Sequence, residues 1–143
     1  MNRSPLCLAW LSLAVSLPIA AQPLPLQPSQ YQVSSVTAAN STAGEKPETA
    51  SRCIKGEDLS NPEAVLNNRF MANFKPDATC TVSGLVIGGG KVSYSTDCKY
   101  SKVQVQGTVT SSSYSVIRKA TSKGGSGATA ETKLEGKRTG ACQ

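Results

Sequence analysis

The chain has 143 residues, 15 Lys and Arg against nine Asp and Glu, a formal charge of +6 and no histidine. The missing imidazole excludes Ser-His and Cys-His nucleophile pairs, which are the commonest covalent catalysts. Only 5% of the residues are aromatic, so a core built here gains little from large rings, and covalent cross-links are the expected remedy.

Residues 1–21 read as a secretory signal peptide. Arg3 gives a positive start, Leu6 to Ile19 is mostly apolar, and Ala20 and Ala21 supply the small residues of a cleavage site. The apolar run is shorter than the roughly 20 residues a membrane span needs, so no stable span is expected after cleavage. Loss of Arg3 would lower the net charge from +6 to +5. Residues 22–30, with Pro23, Pro25 and Pro28, read as a proline-rich extended spacer. Residues 31–143 then form a single disulfide-stapled β domain.

Tyr31 to Thr37 is expected as a first strand, and Ala38 to Ser51, polar and unpatterned, as a long loop. Asn61 and Pro62 suit an N-cap and a first helical residue, which places one or two helical turns between Glu57 and Asn68. The acidic residues Glu57, Asp58 and Glu63 fit first helical turns better than a metal or acid/base site.

A hairpin follows. Thr79 to Ile87 and Lys91 to Lys99 are both rich in Val, Thr, Tyr and Ser, with Gly88, Gly89 and Gly90 between them. A three-residue loop would oppose Val86 to Val92, Gly84 to Tyr94, Val82 to Thr96 and Cys80 to Cys98. Directly opposed residues lie within disulfide reach. Four exported cysteines allow three pairings; this register selects Cys80–Cys98 and leaves Cys53–Cys142. Alternation puts Val82, Val86, Val92 and Tyr94 on the core face, with Tyr94 lying across Gly84.

Three further strands are expected. Lys102 to Thr110 carries Val103, Val105 and Val109 on one face. Tyr114 to Thr121 follows a turn, and Ala128 to Gly136 closes the meander. The predicted fold is mostly β: a six-stranded antiparallel meander forming a strongly twisted sheet or small open barrel, with one short helical segment.

Chemistry is sparse in this pattern. No C-x-x-C or close ligand pair is present, so neither a redox site nor zinc is expected. Neither glycine run precedes a helix or a G-K-[ST] sequence, so no phosphate loop is expected. Basic residues are scattered, with short concentrations at Arg118-Lys119 and Lys137-Arg138. That gives slight support to binding of anionic lipid or polysaccharide, and none to nucleic acid.

Pro28-x-x-Tyr31-x-Val33, Cys53 with Glu57-Asp58-Leu59, Cys80, Val92-Ser93-Tyr94 before Cys98, and Gly136-x-Arg138-x-Gly140-x-Cys142 together form a pattern. It resembles domain of unknown function family 3617, small exported bacterial proteins with four cysteines. The resemblance implies a periplasmic or secreted bacterial protein and brings no catalytic residue and no cofactor. The expected function is a non-enzymatic envelope module that binds a partner protein along a sheet edge or a small apolar ligand inside the sheet. The ligand-facing interior would then be Val82, Val86, Val92, Tyr94, Val103 and Val105. An enzyme without histidine chemistry is the remaining alternative.

Overall fold

The computed structural model describes residues 22–39, 47–67, 80–125 and 127–143. The expected signal peptide lies outside the described residues. Among the described residues seven strands form one open antiparallel sheet: β1 (Ser29–Ala39), β2 (Glu48–Ile54), β3 (Thr81–Gly88), β4 (Lys91–Asp97), β5 (Ser101–Val109), β6 (Ser113–Ser122) and β7 (Thr129–Gly140). A 3-10 turn (Gly56–Ser60) and a single helical turn, α1 (Pro62–Val65), lie between β2 and β3. The fold class matches the expectation, with one strand more. The additional strand is β2, in a stretch read partly as loop. Its side chains show no clean alternation between buried and exposed, because backbone pairing to β1 holds it rather than a buried face.

The order across the sheet is β2-β1-β7-β6-β5-β4-β3. The meander from β3 to β7 is local, whereas β1 pairs with the last strand, from Gln30 opposite Gly140 to Ala39 opposite Ala130. β2 and β3 are the two opposite edges. The connection from Cys53 to Cys80 therefore runs from one edge of the sheet to the other. Its described part lays Ile54, Val65 and Leu66 on the inner face, against Tyr31, Val92, Val105, Val116 and Leu134. We call this connection the strap.

Residues 22–28 are extended but do not act as a spacer. Leu24 and Leu26 are buried in the same core. Leu24 N–H donates to the Leu59 carbonyl at 2.8 Å, and Gln27 N–H to the Ser111 carbonyl at 2.9 Å. The leucines alternate with prolines, which deny the segment a helix while leaving every second side chain free to bury.

The β3–β4 hairpin corrects the expected register. Gly88 opposes Lys91, so the turn is two residues, Gly89 and Gly90, at φ 57° and 74°. Both central positions need positive φ in this turn type, which glycine supplies without steric cost. Ile87 therefore meets Val92, and Val86 meets Ser93. Further down, Gly84 at φ 63° and Leu85 together oppose only Tyr94, a β-bulge led by a left-handed glycine. The bulge restores the expected pairing of Val82 with Thr96 and Thr81 with Asp97.

Two interior assignments fail as a result. Val86 turns to the outer face and is 64% exposed, while Leu85 and Ile87 pack on the core instead. Val82 keeps the side of Thr96 but sits at the sheet margin, 37% exposed. Tyr94 does not cover Gly84, which has open space where a side chain would stand. The aromatic-over-glycine contact is Tyr114 on Gly136, its opposite residue on β7.

Candidate functional site

Val92, Tyr94, Val103 and Val105 are buried, each at an inward position of β4 or β5. They face the strap and the leucines of residues 22–28, which fill the space beside them in this arrangement. The Tyr94 hydroxyl leads from this apolar layer to the polar centre of the fold.

That centre is Arg118 of β6. It occupies an inward position in step with Tyr114 and Val116 and is only 7% exposed. Its Nη1 donates to Glu63 Oε1 at 2.8 Å, to the Leu66 carbonyl at 2.5 Å and to the Tyr94 hydroxyl at 3.3 Å. Its Nη2 reaches Glu63 Oε2 at 3.4 Å. Tyr94 in turn donates to Glu63 Oε1 at 2.6 Å. A guanidinium taken out of water needs such charge-assisted partners, or its desolvation is uncompensated.

Glu63 is placed by local sequence. Asn61 caps α1, its Oδ1 accepting from Glu63 N–H at 3.1 Å, and Pro62 begins the helix. The cap fixes the first turn so that the Glu63 side chain points at the sheet. A single turn also leaves its last carbonyls without helical partners. Arg118 takes Leu66, and Arg52 of β2 donates to Val65 at 3.2 Å and to Ala64. Two guanidiniums from two strands thus close the end of α1. Of the other acidic residues in the segment, Asp58 accepts from Lys55 N–H at 2.8 Å, the first-turn role expected of it.

The electrostatics follow from burial and pairing. Burial opposes ionisation of Glu63, but the hydrogen bond and charge of Arg118 outweigh it and hold the carboxyl below its usual 4.5. Burial, joined by the Glu63 charge, pushes the Tyr94 phenol far above its usual 10. Tyr114, buried beside Tyr31, is pushed up to about 12. Glu63 is therefore a fixed anion and Tyr94 a fixed proton donor. Neither is poised to exchange a proton near neutrality.

Sequence reasoning missed Arg118 and read it only as part of a short basic concentration. The available signal was alternation: Tyr114, Val116 and Ala120 share its face, so a charge at 118 had to be buried or the strand had to end.

The outer face is polar. Val86, Ser93, Gln106, Ile117 and Lys133 form one row across five strands, with Val86 and Ile117 exposed. Lysines of this face stand opposite acidic residues: Lys119 opposes Glu131 and Lys102 opposes Asp97. Lys133 pairs with Glu135 at 2.9 Å, and Lys123 at the sheet margin pairs with Asp97.

Both predicted disulfides are formed. Cys80–Cys98 closes the bulged hairpin with Cα atoms 4.0 Å apart, and Cys53–Cys142 joins β2 to the residues just past β7 with Cα atoms 5.4 Å apart. They sit at the two ends of the strap. The terminal G-x-R-x-G-x-C run is also structural: Gly136 lies under Tyr114, and Arg138 Nε donates to Ser29 Oγ at 2.8 Å. Gly140 opposes Gln30, and Cys142 closes the bridge. Among the described residues no three His, Cys, Asp or Glu side chains group as metal ligands, and no helix is long and apolar enough to cross a membrane.

A family model described as a protein of unknown function (DUF3617) matches residues 26–142. No curated protein and no solved structure matches.

Proposed function

Because this chain belongs to the DUF3617 family, whose description carries no activity, we propose a function from its own geometry: an exported, non-enzymatic interaction module that takes an extended segment of an envelope protein along β3. Two disulfides suit an oxidising compartment such as the bacterial periplasm. The absence of histidine from the sequence and the fixed Glu63–Arg118 pair support a binding role over a catalytic one.

The observation that carries this reading is β3 itself. Among the described residues it pairs with β4 alone, so one row of its backbone groups is free to accept another strand. The bulge at Gly84 interrupts that row, a known way of guarding an edge. The regular stretch is thus short, Leu85 to Gly88, with Val86 outermost. A weak, selective contact fits such a stretch better than a permanent interface. The interior reading is less well supported, since the inward residues are buried in one cluster with Ile54, Val65 and Leu66, and the polyanion reading is weakened by acids that stand opposite or pair with Lys102, Lys119 and Lys133.

A photo-crosslinking residue placed at Val86 tests this in intact cells, with the same residue at Ser51 on the opposite edge as control. The expected result is a discrete adduct from position 86 alone. The captured partner, once purified, should then slow amide exchange across 85–88. Adducts of equal yield from both edges, or binding that leaves those amides unprotected, would remove the edge reading.

A further inference from the structure

Arg118 has an unusual set of partners. The sheet carries the cation, but every anionic or carbonyl acceptor it uses belongs to the strap: both Glu63 carboxylate oxygens and the Leu66 carbonyl. Among the described residues the sheet offers it the Tyr94 hydroxyl and no strand carboxylate. The ion pair therefore joins β6, inside the sheet, to a single helical turn that lies on it.

A second observation marks the same place. Thr96 lies two residues from Tyr94 on the same face of β4, and its hydroxyl is near enough to Glu63 to help lower that carboxyl's pKa. Yet Thr96 Oγ1 is buried without a hydrogen bond in normal geometry, the whole residue being 2% exposed. The corner thus holds a guanidinium, a phenol that donates and a hydroxyl with capacity to spare. Around it the inner face is aliphatic, with Val105, Val116 and Leu134 adjacent on β5, β6 and β7.

We propose that the Arg118–Tyr94–Thr96 corner is a carboxylate-binding subsite of the inner sheet face, and that Glu63 occupies it in cis as a placeholder. The ligand class is a single-chain amphiphile with a carboxylate head. The head replaces the Glu63 carboxylate on Arg118 and Tyr94 and satisfies Thr96. The tail replaces Val65 and Leu66 on the aliphatic strip. The described turn, residues 62–66, can leave the sheet without the chain being lost, because Cys53 before it and Cys80 after it are both held by disulfides. Exchange of one carboxylate for another keeps the buried cation compensated throughout, which simple opening of the strap does not. The corner lies on the inner face at β4 and β6, apart from the β3 edge.

Decanoate and decanol, which share a tail and differ in head, test it by titration calorimetry on the disulfide-bonded protein. Glu63→Gln removes the competing anion, so this variant should bind decanoate at least tenfold more tightly than the wild-type protein does. It should also prefer decanoate over decanol at least tenfold. Adding Arg118→Gln should abolish that preference. A folded Glu63→Gln protein that binds decanoate no better than wild type, or binds decanol equally well, overturns the proposal. Should that variant not fold, the wild-type protein decides. Decanoate, and not decanol, should speed amide exchange of residues 62–67 at least threefold while β5 and β6 stay protected; exchange unchanged by decanoate overturns the proposal.

Discussion

A methyl group added at Gly136 would stand 2.2 Å from Cε1 and 2.3 Å from Cζ of Tyr114, a ring boxed in by Tyr31 behind it. The ring cannot swing clear without leaving the core. Gly136→Ala should therefore cost about 1–3 kcal/mol in urea unfolding, whereas Gly125→Ala, with open space around it, should stay within about 0.5 kcal/mol of wild type. At Arg118 the expected loss is larger. Arg118→Met leaves the Glu63 carboxylate buried without its partner and should cost about 3–5 kcal/mol, much of which Arg118→Met with Glu63→Leu should recover. The same pair sets the acid limb of stability. Glu63 ionises more readily folded than unfolded, so its contribution is present above the usual carboxyl pKa of 4.5 and is lost as pH falls through the lower folded value. Glu63→Gln should flatten that part of the curve. Asp97 and Glu135 are shifted in the same direction by Lys123 and Lys133, but both are solvent-screened surface pairs and should add little. On the alkaline side the sign reverses. Tyr114 keeps its proton to about pH 12 when folded, so stability falls once pH passes the ordinary phenol value of 10. Tyr114→Phe should soften that decline.

At the level of elements, each bridge should show its own magnitude in denaturant. Replacing Cys80 and Cys98 by serine should cost about 3 kcal/mol, and replacing Cys53 and Cys142 about 4–5 kcal/mol, since the cross-linked separations are 18 and 89 residues. Urea unfolding with midpoint and slope both fitted would check them, the slope rising as each released loop lets the unfolded chain expand. Much of this level was legible in the amino-acid order, because period-two patterning exposes strands that bury one face. Val103, Val105 and Val109 on β5, and Thr132 and Leu134 on β7, are buried as their alternation predicts. β2 was not legible, since an edge strand with polar faces leaves no such period. The leucines among the prolines of residues 22–28 were masked by composition. The hairpin is the most instructive case. Cys80 and Cys98 do bond, but through two deviations that cancel: a turn one residue shorter than expected and a bulge one residue long. A correct bridge therefore did not certify the register beside the turn, and Val86 went to the other face. At Arg118 alternation marks the inward position, but the partner that makes its burial tolerable is not legible. Its burial depends on Glu63, which is distant in sequence and arrives on the strap.

For the molecule as a whole, the pairing of β1 with β7 makes the fold non-local. β3 to β6 can associate as they stand in the chain, but β1 has only β2 until Thr129–Gly140 joins it. Long-range pairing of this kind places refolding of the oxidised protein in the slow range, about milliseconds to seconds, readable as a single phase in stopped-flow refolding. The cysteines carry a consequence of their own. The bridges are nested, first with fourth and second with third. A chain that emerges and is oxidised in order meets Cys53 and Cys80 together before either correct partner is present, and the earliest bond open to it is a wrong one. Chains released from synthesis before Cys98 and oxidised should carry a Cys53–Cys80 bond, visible by peptide mapping, whereas the full reduced chain should close the shorter native Cys80–Cys98 loop first. Nesting thus ties the outcome to timing: if oxidation follows the order of synthesis, this small sheet would need a catalyst of rearrangement as well as an oxidant, and if it waits for the whole chain, the oxidant alone would serve.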